Sequence, residues 1–468
     1  MQRRTLLQQV TAIIGVALAS FGAAGAPPDD VPRHAIVVSV DGLMPATYAD
    51  PDAHGLKIPT LRNLAAAGAW SPGVHGVLPT VTYPSHTTMV TGVTPGVHGV
   101  VSNAVFDPAG VRDGEWYWYE EEIRVPTLWQ LARARHLRTA MVGWPVTMGA
   151  QGDAVMPEFW RGRGIDAARL LRAVSTPGLF DAVARRFPAF ESGFNGQPAK
   201  DESLADVAVD LIEREKPNLL LLHVAEVDHW QHEKGPWSAE AIAAIENADA
   251  QVARLVEAVH RAGMWESTLF LVVSDHGFAR QEKLVRPGVL LRQAGLISVD
   301  EKTHATVWRA AALSAGGTAF IYLHDPQDRE AAKIATEALT PLAGKPDSGI
   351  RRVLTHDEVV AMGGDKQALL AVEAADGFGF GGGFAGDAVV PATSPGLHGF
   401  PPDREAMNSS LIIDGPGVLA GAIEGARLVD IAPTVAQWLN FRMENAQGRP
   451  LITASTSQKS PGSGSGKR

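Results

Sequence analysis

The chain alternates short apolar runs with amphipathic stretches. Residues 35–40 (AIVVSV) form a continuous apolar run rich in β-branched side chains, the pattern of a strand covered on both faces. Residues 219–224 (LLLLHV) and 269–274 (LFLVVS) read the same way, and 139–143 and 410–413 are weaker strand candidates. Helical patterns lie between these runs. Pro59 opens one that runs to Ala67 and is closed by Gly68. Pro126 opens another through Leu131 to Arg135. Ser238 caps a long amphipathic stretch ending near Arg261, with Gly263 beyond it. This alternation predicts an α/β fold with a largely parallel central sheet flanked by helices.

Between about residues 279 and 395 the character changes. Residues 318–323 (TAFIYL) and 368–372 read as strands of a smaller sheet, with a helix-like stretch at 329–339 between them. Residues 377–386 (GFGFGGGFAG) read as a glycine-rich loop. The region is expected to be a smaller inserted α+β subdomain within a catalytic domain of residues 27–453. Residues 454–468 are rich in Ser, Gly and Lys and are expected to be disordered. There is no internal repeat.

Composition narrows the function. The 468 residues are 45% hydrophobic and 20% charged, an ordinary globular balance with length enough for a large core. The net charge of -10 disfavours a polyanionic partner, so no nucleic-acid polymer is expected to bind. There are no cysteines, so any metal must be held by His, Asp, Glu or neutral oxygens. The first 26 residues read as a signal peptide. Arg3 and Arg4 form a basic start, residues 10–21 are mostly apolar, and Ala24-Gly25-Ala26 is a small-residue cleavage signal. Arg3-Arg4 followed by Leu6 and Leu7 loosely resembles a twin-arginine signal. The apolar run is short for a bilayer span. A periplasmic or secreted protein with no membrane span after cleavage is the expectation.

Three strand-like runs end near acidic residues. Asp41 follows AIVVSV, Asp275 follows LFLVVS and is joined to His276, and Asp228 comes shortly after LLLLHV. Open α/β sheets bind ligands outside the carboxyl ends of their strands, so these distant residues can converge on one edge. His232, four residues past Asp228, shares its side of a helical turn, and His398 sits on a glycine-flanked loop. Imidazole and carboxylate together suit zinc. Singly, each residue has a plainer reading, since an Asp after a strand is often a turn or cap residue.

The segment 78–92 (LPTVTYPSHTTMVTG) offers a hydroxyl. A helix beginning near Pro84 would place Thr82 at its N-terminus, facing the positive end of the dipole. A hydroxyl there can be an activated nucleophile or simply an N-cap.

These elements together resemble the nucleotide pyrophosphatase/phosphodiesterase (type I phosphodiesterase) family of the alkaline phosphatase superfamily. The likeness rests on Ser39-Val40-Asp41-Gly42, Thr82-Tyr83-Pro84-Ser85-His86, Val90-Thr91-Gly92, His98-Gly99-Val100 and Asn103. It continues through Glu226-Val227-Asp228-His229 with His232, Ser274-Asp275-His276-Gly277, His398-Gly399-Phe400 and the segment 429–434 (VDIAPT). Ser85 stands where the family often has Asn. The resemblance implies an alkaline-phosphatase-like fold and two zinc ions. One ion would be held by Asp228, His232 and His398. The other would be held by Asp41, Asp275 and His276, with Thr82 as ligand and nucleophile. A covalent phosphothreonine would form and then be hydrolysed. Asn103 would bond a non-bridging phosphate oxygen, the backbone N–H of Tyr83 would assist, and Tyr83 would line the leaving-group pocket. His86, His98 and His229 lie inside the motifs without being ligands.

The substrate is expected to be a small phosphodiester. A phosphomonoesterase needs further cationic contacts, and Arg161 with Arg163 matches that need poorly. A phosphonoacetate hydrolase needs lysines, and residues 103–166 contain none. Arylsulfatase chemistry is excluded by the missing cysteine and the missing Ser-x-Pro-x-Arg motif. A non-catalytic metal-binding module is the reading from a different class, and the presence of Thr82 and Asn103 argues against it.

Overall fold

The computed structural model describes residues 31–112, 114–160, 165–196, 198–300 and 306–452. The expected signal peptide (1–26), the tail (454–468) and Arg161 with Arg163 lie outside them. The central sheet is built from β1 (His34–Val40), β2 (Ala69–Trp70), β3 (Thr139–Val142), β4 (Ala154–Met156), β5 (Leu219–Val224), β6 (Thr268–Val273), β7 (Leu411–Asp414) and β8 (Gly421–Ala422). Its spatial order is β8-β2-β7-β6-β1-β5-β3-β4. The β6-β1-β5-β3-β4 stretch is parallel throughout, and β7 joins it antiparallel to β6.

The continuous apolar runs are explained by burial on both faces. Ile36, Val38 and Val40 of β1, Leu220, Leu222 and Val224 of β5, and Phe270 and Val272 of β6 enter one core. Ala35, Val37, Leu219, Leu221, Leu269, Leu271 and Val273 enter the core on the opposite side. The period of two therefore divides every strand between two layers of helices. Truncating any one of these leucines to alanine removes roughly 2–5 kcal/mol of stability.

The helices that matter for the site are α1 (Thr82–Thr91), α2 (Asp201–Arg214), α3 (Glu226–Lys234) and α4 (Ala239–Arg261). Ser238 caps α4, its hydroxyl accepting from the Ala241 N–H. The helix expected from Pro84 begins at Thr82, and Val81 holds the N-cap position in extended conformation. Pro84 tolerates this because it falls in the first turn, where an N–H is not needed. Among the described residues no helix is long and apolar enough to cross a membrane.

Between β6 and β7 the chain builds a separate four-stranded antiparallel sheet. Its order is Ala310–Ala315, Thr318–Leu323, Leu370–Ala374 and Ile350–Thr355, with the helix Arg329–Leu339 alongside. The glycine-rich stretch read as a loop is partly a strand. Gly377–Phe380 pairs in parallel with Ala279–Val285. Glycine suits the close packing there, since a Cβ on Gly379 would stand 2.5 Å from Leu397 Cδ2 and displace that side chain.

Candidate metal-centred active site

The carboxyl edge of the parallel strands gathers the expected residues. Asp41 continues β1, its N–H donating to the Val224 carbonyl at 2.9 Å. Gly42 follows at φ 68, a conformation that turns the chain sharply away and favours glycine. Its N–H donates to Asp275 Oδ1 at 3.1 Å, so the loops after β1 and β6 are tied together. Ser274 and Ser410 both donate to the Leu43 carbonyl and complete that tie. Asp228 and His232 lie one turn apart on α3, which starts directly after β5. His398 comes from the loop beyond the short strand Gly396–Leu397.

Two overlapping triplets result. Ligand atoms of Asp41, Asp275 and His276 lie within 4.8 Å of one another, as do those of Asp228, His276 and His398. His232 joins the second group through Asp228, with Nε2 3.4 Å from Oδ1. His276 belongs to both triplets, and its ring stacks on His398 with centroids 3.6 Å apart.

The donor set fits a dication. Asp41 Oδ1, Asp228 Oδ1, Asp275 Oδ2 and His276 Nε2 are all buried without a hydrogen-bond partner. Buried polar atoms are normally satisfied, and here four unsatisfied ones converge. The histidines point the same way. Nδ1 of His232 bonds the Gly396 carbonyl at 3.0 Å, Nδ1 of His398 the Thr80 carbonyl at 3.0 Å, and Nδ1 of His276 the Gly277 carbonyl at 3.2 Å. A carbonyl accepts only, so each ring carries its proton on Nδ1 and turns the Nε2 lone pair inward. Burial holds the imidazoles of His276 and His398 down, to about 4 and about 3, so both are neutral donors. Burial and the neighbouring carboxylates of Asp275 and Asp228 push Asp41 well above the usual carboxylate range. Three carboxylates gathered at one buried edge, two of them acting on Asp41, are the electrostatic complement of a cation.

Thr82 is the first residue of α1 and lines the same cavity as Asp41, Asp228, His232 and His398. Its carbonyl is bonded by His86 Nδ1, while its hydroxyl makes no hydrogen bond with another described residue. Asn103 Oδ1 accepts the Tyr83 N–H at 2.9 Å. That bond assigns the amide, so Asn103 has Nδ2 free to donate. The donor in that bond is the Tyr83 N–H, the group that the resemblance implied would assist at a phosphate, and Tyr83 is among the residues lining the cavity. The Tyr83 ring is fully buried against Trp116, Val100, Trp118 and Val146. Trp116, Phe159 and Trp160 are the half-buried aromatic side chains on the cavity wall.

His86 and His98 are internal fixings. His86 spans the Thr82 carbonyl and Ser39 Oγ, His98 bonds Thr88 Oγ1, and burial holds each ring down to about 3. His229, by contrast, lines the cavity. Two residues outside the motifs also reach the site, His223 on β5 and Glu158 after β4. Both carried a signal in the sequence. His223 is the one polar residue in LLLLHV, and Glu158 lies just past the end of a parallel strand, as Asp41 does.

The cavity holds about 400 Å³. Among the described residues, no lysine or arginine lines it.

Comparison with known proteins gives the family and the fold. Residues 35–361 match the family described as type I phosphodiesterase / nucleotide pyrophosphatase. An uncharacterised pyrophosphatase/phosphodiesterase of Schizosaccharomyces pombe is 27% identical over 257 residues, which cover 52% of this chain and 44% of that one. Human ectonucleotide pyrophosphatase/phosphodiesterase family member 1 is 25% identical over 252 residues, covering 52% of this chain and 23% of that one. The match thus spans less than half the length of these curated relatives. Murine ectonucleotide pyrophosphatase/phosphodiesterase 5 superposes with a TM-score of 0.63 at 19% identity, covering 89% of this chain and 97% of that one. The same murine protein has been solved as an inactive threonine-to-alanine variant in complex with AMP, at 18% identity to this chain. The fold is the alkaline-phosphatase-like one.

Proposed function

This chain belongs to the type I phosphodiesterase / nucleotide pyrophosphatase family, and on that premise we propose that it is a zinc-dependent hydrolase of small phosphodiesters. The observation that carries the reading is the convergence of four unsatisfied buried ligand atoms beside the free hydroxyl of Thr82. Asp228, His232 and His398 would hold one ion, and Asp41, Asp275 and His276 the other. Two such ions would supply Lewis-acid stabilisation of the negative charge that develops at the phosphoryl centre.

The chain's own residues do the rest. Thr82 Oγ gives up its proton and bonds phosphorus, the bond to the ester oxygen breaks, and the departing alcohol takes up a proton. Water then cleaves the phosphothreonine to return the hydroxyl and release the phosphoryl product. Asn103 Nδ2 donates to a non-bridging oxygen, where negative charge grows. The aromatic wall of Trp116, Phe159 and Trp160 receives an ester substituent by apolar contact. A monoester dianion would call for extra cationic contacts, and the paired diester and monoester assay below decides between the two readings. The AMP held by the murine relative makes nucleoside-monophosphate esters the first substrates to try. Export from the cytoplasm is part of the same proposal and rests on residues 1–26; mass spectrometry of the mature protein tests it.

The test is hydrolysis of bis-p-nitrophenyl phosphate against p-nitrophenyl phosphate by zinc-replete protein. Faster diester turnover is expected. Faster monoester turnover would replace the diester reading with a phosphomonoesterase. No turnover of either with zinc bound would point to a non-catalytic metal-binding module.

A further inference from the structure

Parallel pairing of β1 and β5 brings an unassigned histidine behind Asp41. Ser39 lies opposite His223 in the ladder, and Asp41 follows Ser39 by two residues. Residues two apart share a face of a sheet, so Asp41 and His223 emerge side by side. His223 Nε2 and Asp41 Oδ2 are hydrogen-bonded at 3.0 Å. That leaves Asp41 Oδ1, which has no hydrogen-bond partner, facing His276 Nε2 at 3.4 Å. On its other side His223 Nδ1 stands 3.1 Å from the Gly143 carbonyl and 3.5 Å from Glu158 Oε2. The ring is packed edge-on to His86, with centroids 4.4 Å apart. It is 3% exposed, so the geometry has no room to drift.

We propose that His223 is a positioning residue that selects Asp41 Oδ1 as the ligand oxygen, with Glu158 backing it from the cavity wall. The proposal rests on the metal-dependent reading above. A carboxylate with both oxygens free can rotate or bind through either one. Occupying Oδ2 from behind fixes the plane of the group and leaves a single lone-pair direction toward the cluster. The apolar alternative was available in this strand, since residues 219–222 are all leucine and a fifth would continue the core. A histidine at this position has a buried acceptor on each side, which a core-filling role does not require. Glu158 extends the chain of contacts from the metal cluster to the wall that receives the substrate.

The experiment compares metal binding in His223→Leu, His223→Gln, His223→Asn and Glu158→Gln with the wild type. Zinc content and affinity are measured by competition with a chromogenic chelator, beside kcat and KM for bis-p-nitrophenyl phosphate and the melting temperature. His223→Leu is expected to weaken one of two bound ions by about 10–100-fold, lowering kcat with little change in KM. Gln places an amide N–H near the position of Nε2 and is expected to recover part of that affinity. Asn reaches only the position of Nδ1 and is expected to recover none. Glu158→Gln is expected to lose affinity in the same direction by a smaller factor. Wild-type affinity in His223→Leu, or equal behaviour of the Gln and Asn variants, overturns the positioning role. If His223→Leu fails to fold, the Gln and Asn pair decides the question. Wild-type protein that binds no zinc overturns the metal-dependent reading, and this proposal with it. Wild-type binding with indifferent variants overturns this proposal alone.

Discussion

Thr82 occupies the first position of α1 while Val81 takes the N-cap place, so the threonine hydroxyl is not consumed by helix formation. It faces a cavity lined by Asp41, Asp228 and His398. Thr82→Ala is therefore expected to lower turnover by at least about 10³-fold while zinc stoichiometry stays unchanged in equilibrium dialysis. Near-normal turnover in that variant would remove the threonine from the chemistry. Asn103 permits a cleaner separation of structure from catalysis. Its Oδ1 accepts from Tyr83, and aspartate keeps that acceptor while losing the Nδ2 donor. Asn103→Asp is expected to melt like the wild type yet lose about 10²–10³-fold in kcat, the usual effect of deleting one donor to developing charge. A kcat within a few-fold of wild type would leave Asn103 with a purely structural role.

At the scale of elements, the helix that carries Asp228 and His232 is held by its neighbour. Asp201 at the start of α2 accepts from the N–H groups of Ala225 and Glu226 at the start of α3. Glu226 returns the favour by accepting the Asp201 N–H at 3.1 Å and pairing with Lys200. Each helix N-terminus is thus capped by a carboxylate of the other, which aligns both dipoles with negative charge. Burial, with the adjacent Glu226 charge adding to it, pushes Asp201 up to about 7. In the unfolded chain the same carboxyl ionises near pH 4. The folded form therefore holds the extra proton between about pH 4 and 7, and stability falls as pH rises through that window. Asp201→Asn abolishes this titration. Urea midpoints should show the wild type losing ground to the variant from pH 5 to pH 8, by a few kcal/mol at most. A constant difference across that range would mean Asp201 is ionised throughout.

For the whole molecule, the site is a meeting of loops from both halves of the sheet and from the insertion. Asp41, Asp275 and Asp228 crowd negative charge at one edge, and the His398 ring that joins them is bonded through Nδ1 to the Thr80 carbonyl. An ion bound there stabilises the fold by mass action, by about 2.7 kcal/mol at a hundred times its dissociation constant. Chelation should abolish turnover and lower the melting temperature, and added zinc should restore both. A melting temperature indifferent to chelator and zinc would argue against a structural link between the ions and the fold.

Much of this was legible in the chain because parallel strands buried on both faces must be continuous apolar runs. Residues 35–40, 219–224 and 269–274 marked the three central strands, and the acidic residues beyond them marked the site edge. Local signals also placed Pro59–Ala67 and the Ser238-capped α4. Short elements escaped, since β2, β4 and β8 have only two or three residues and borrow their order from neighbours. The start of α1 was misplaced by two residues because proline reads as a helix opener, whereas Val81 sets the extended cap. Residue types and order were thus fixed locally, by hydrophobic period, capping and motif spacing. Which oxygen of Asp41 is free, which nitrogen each histidine presents and which acceptor the Tyr83 N–H meets depend on partners up to hundreds of residues away. Those partners are set by strand register and loop packing, which exist only once the sheet has assembled.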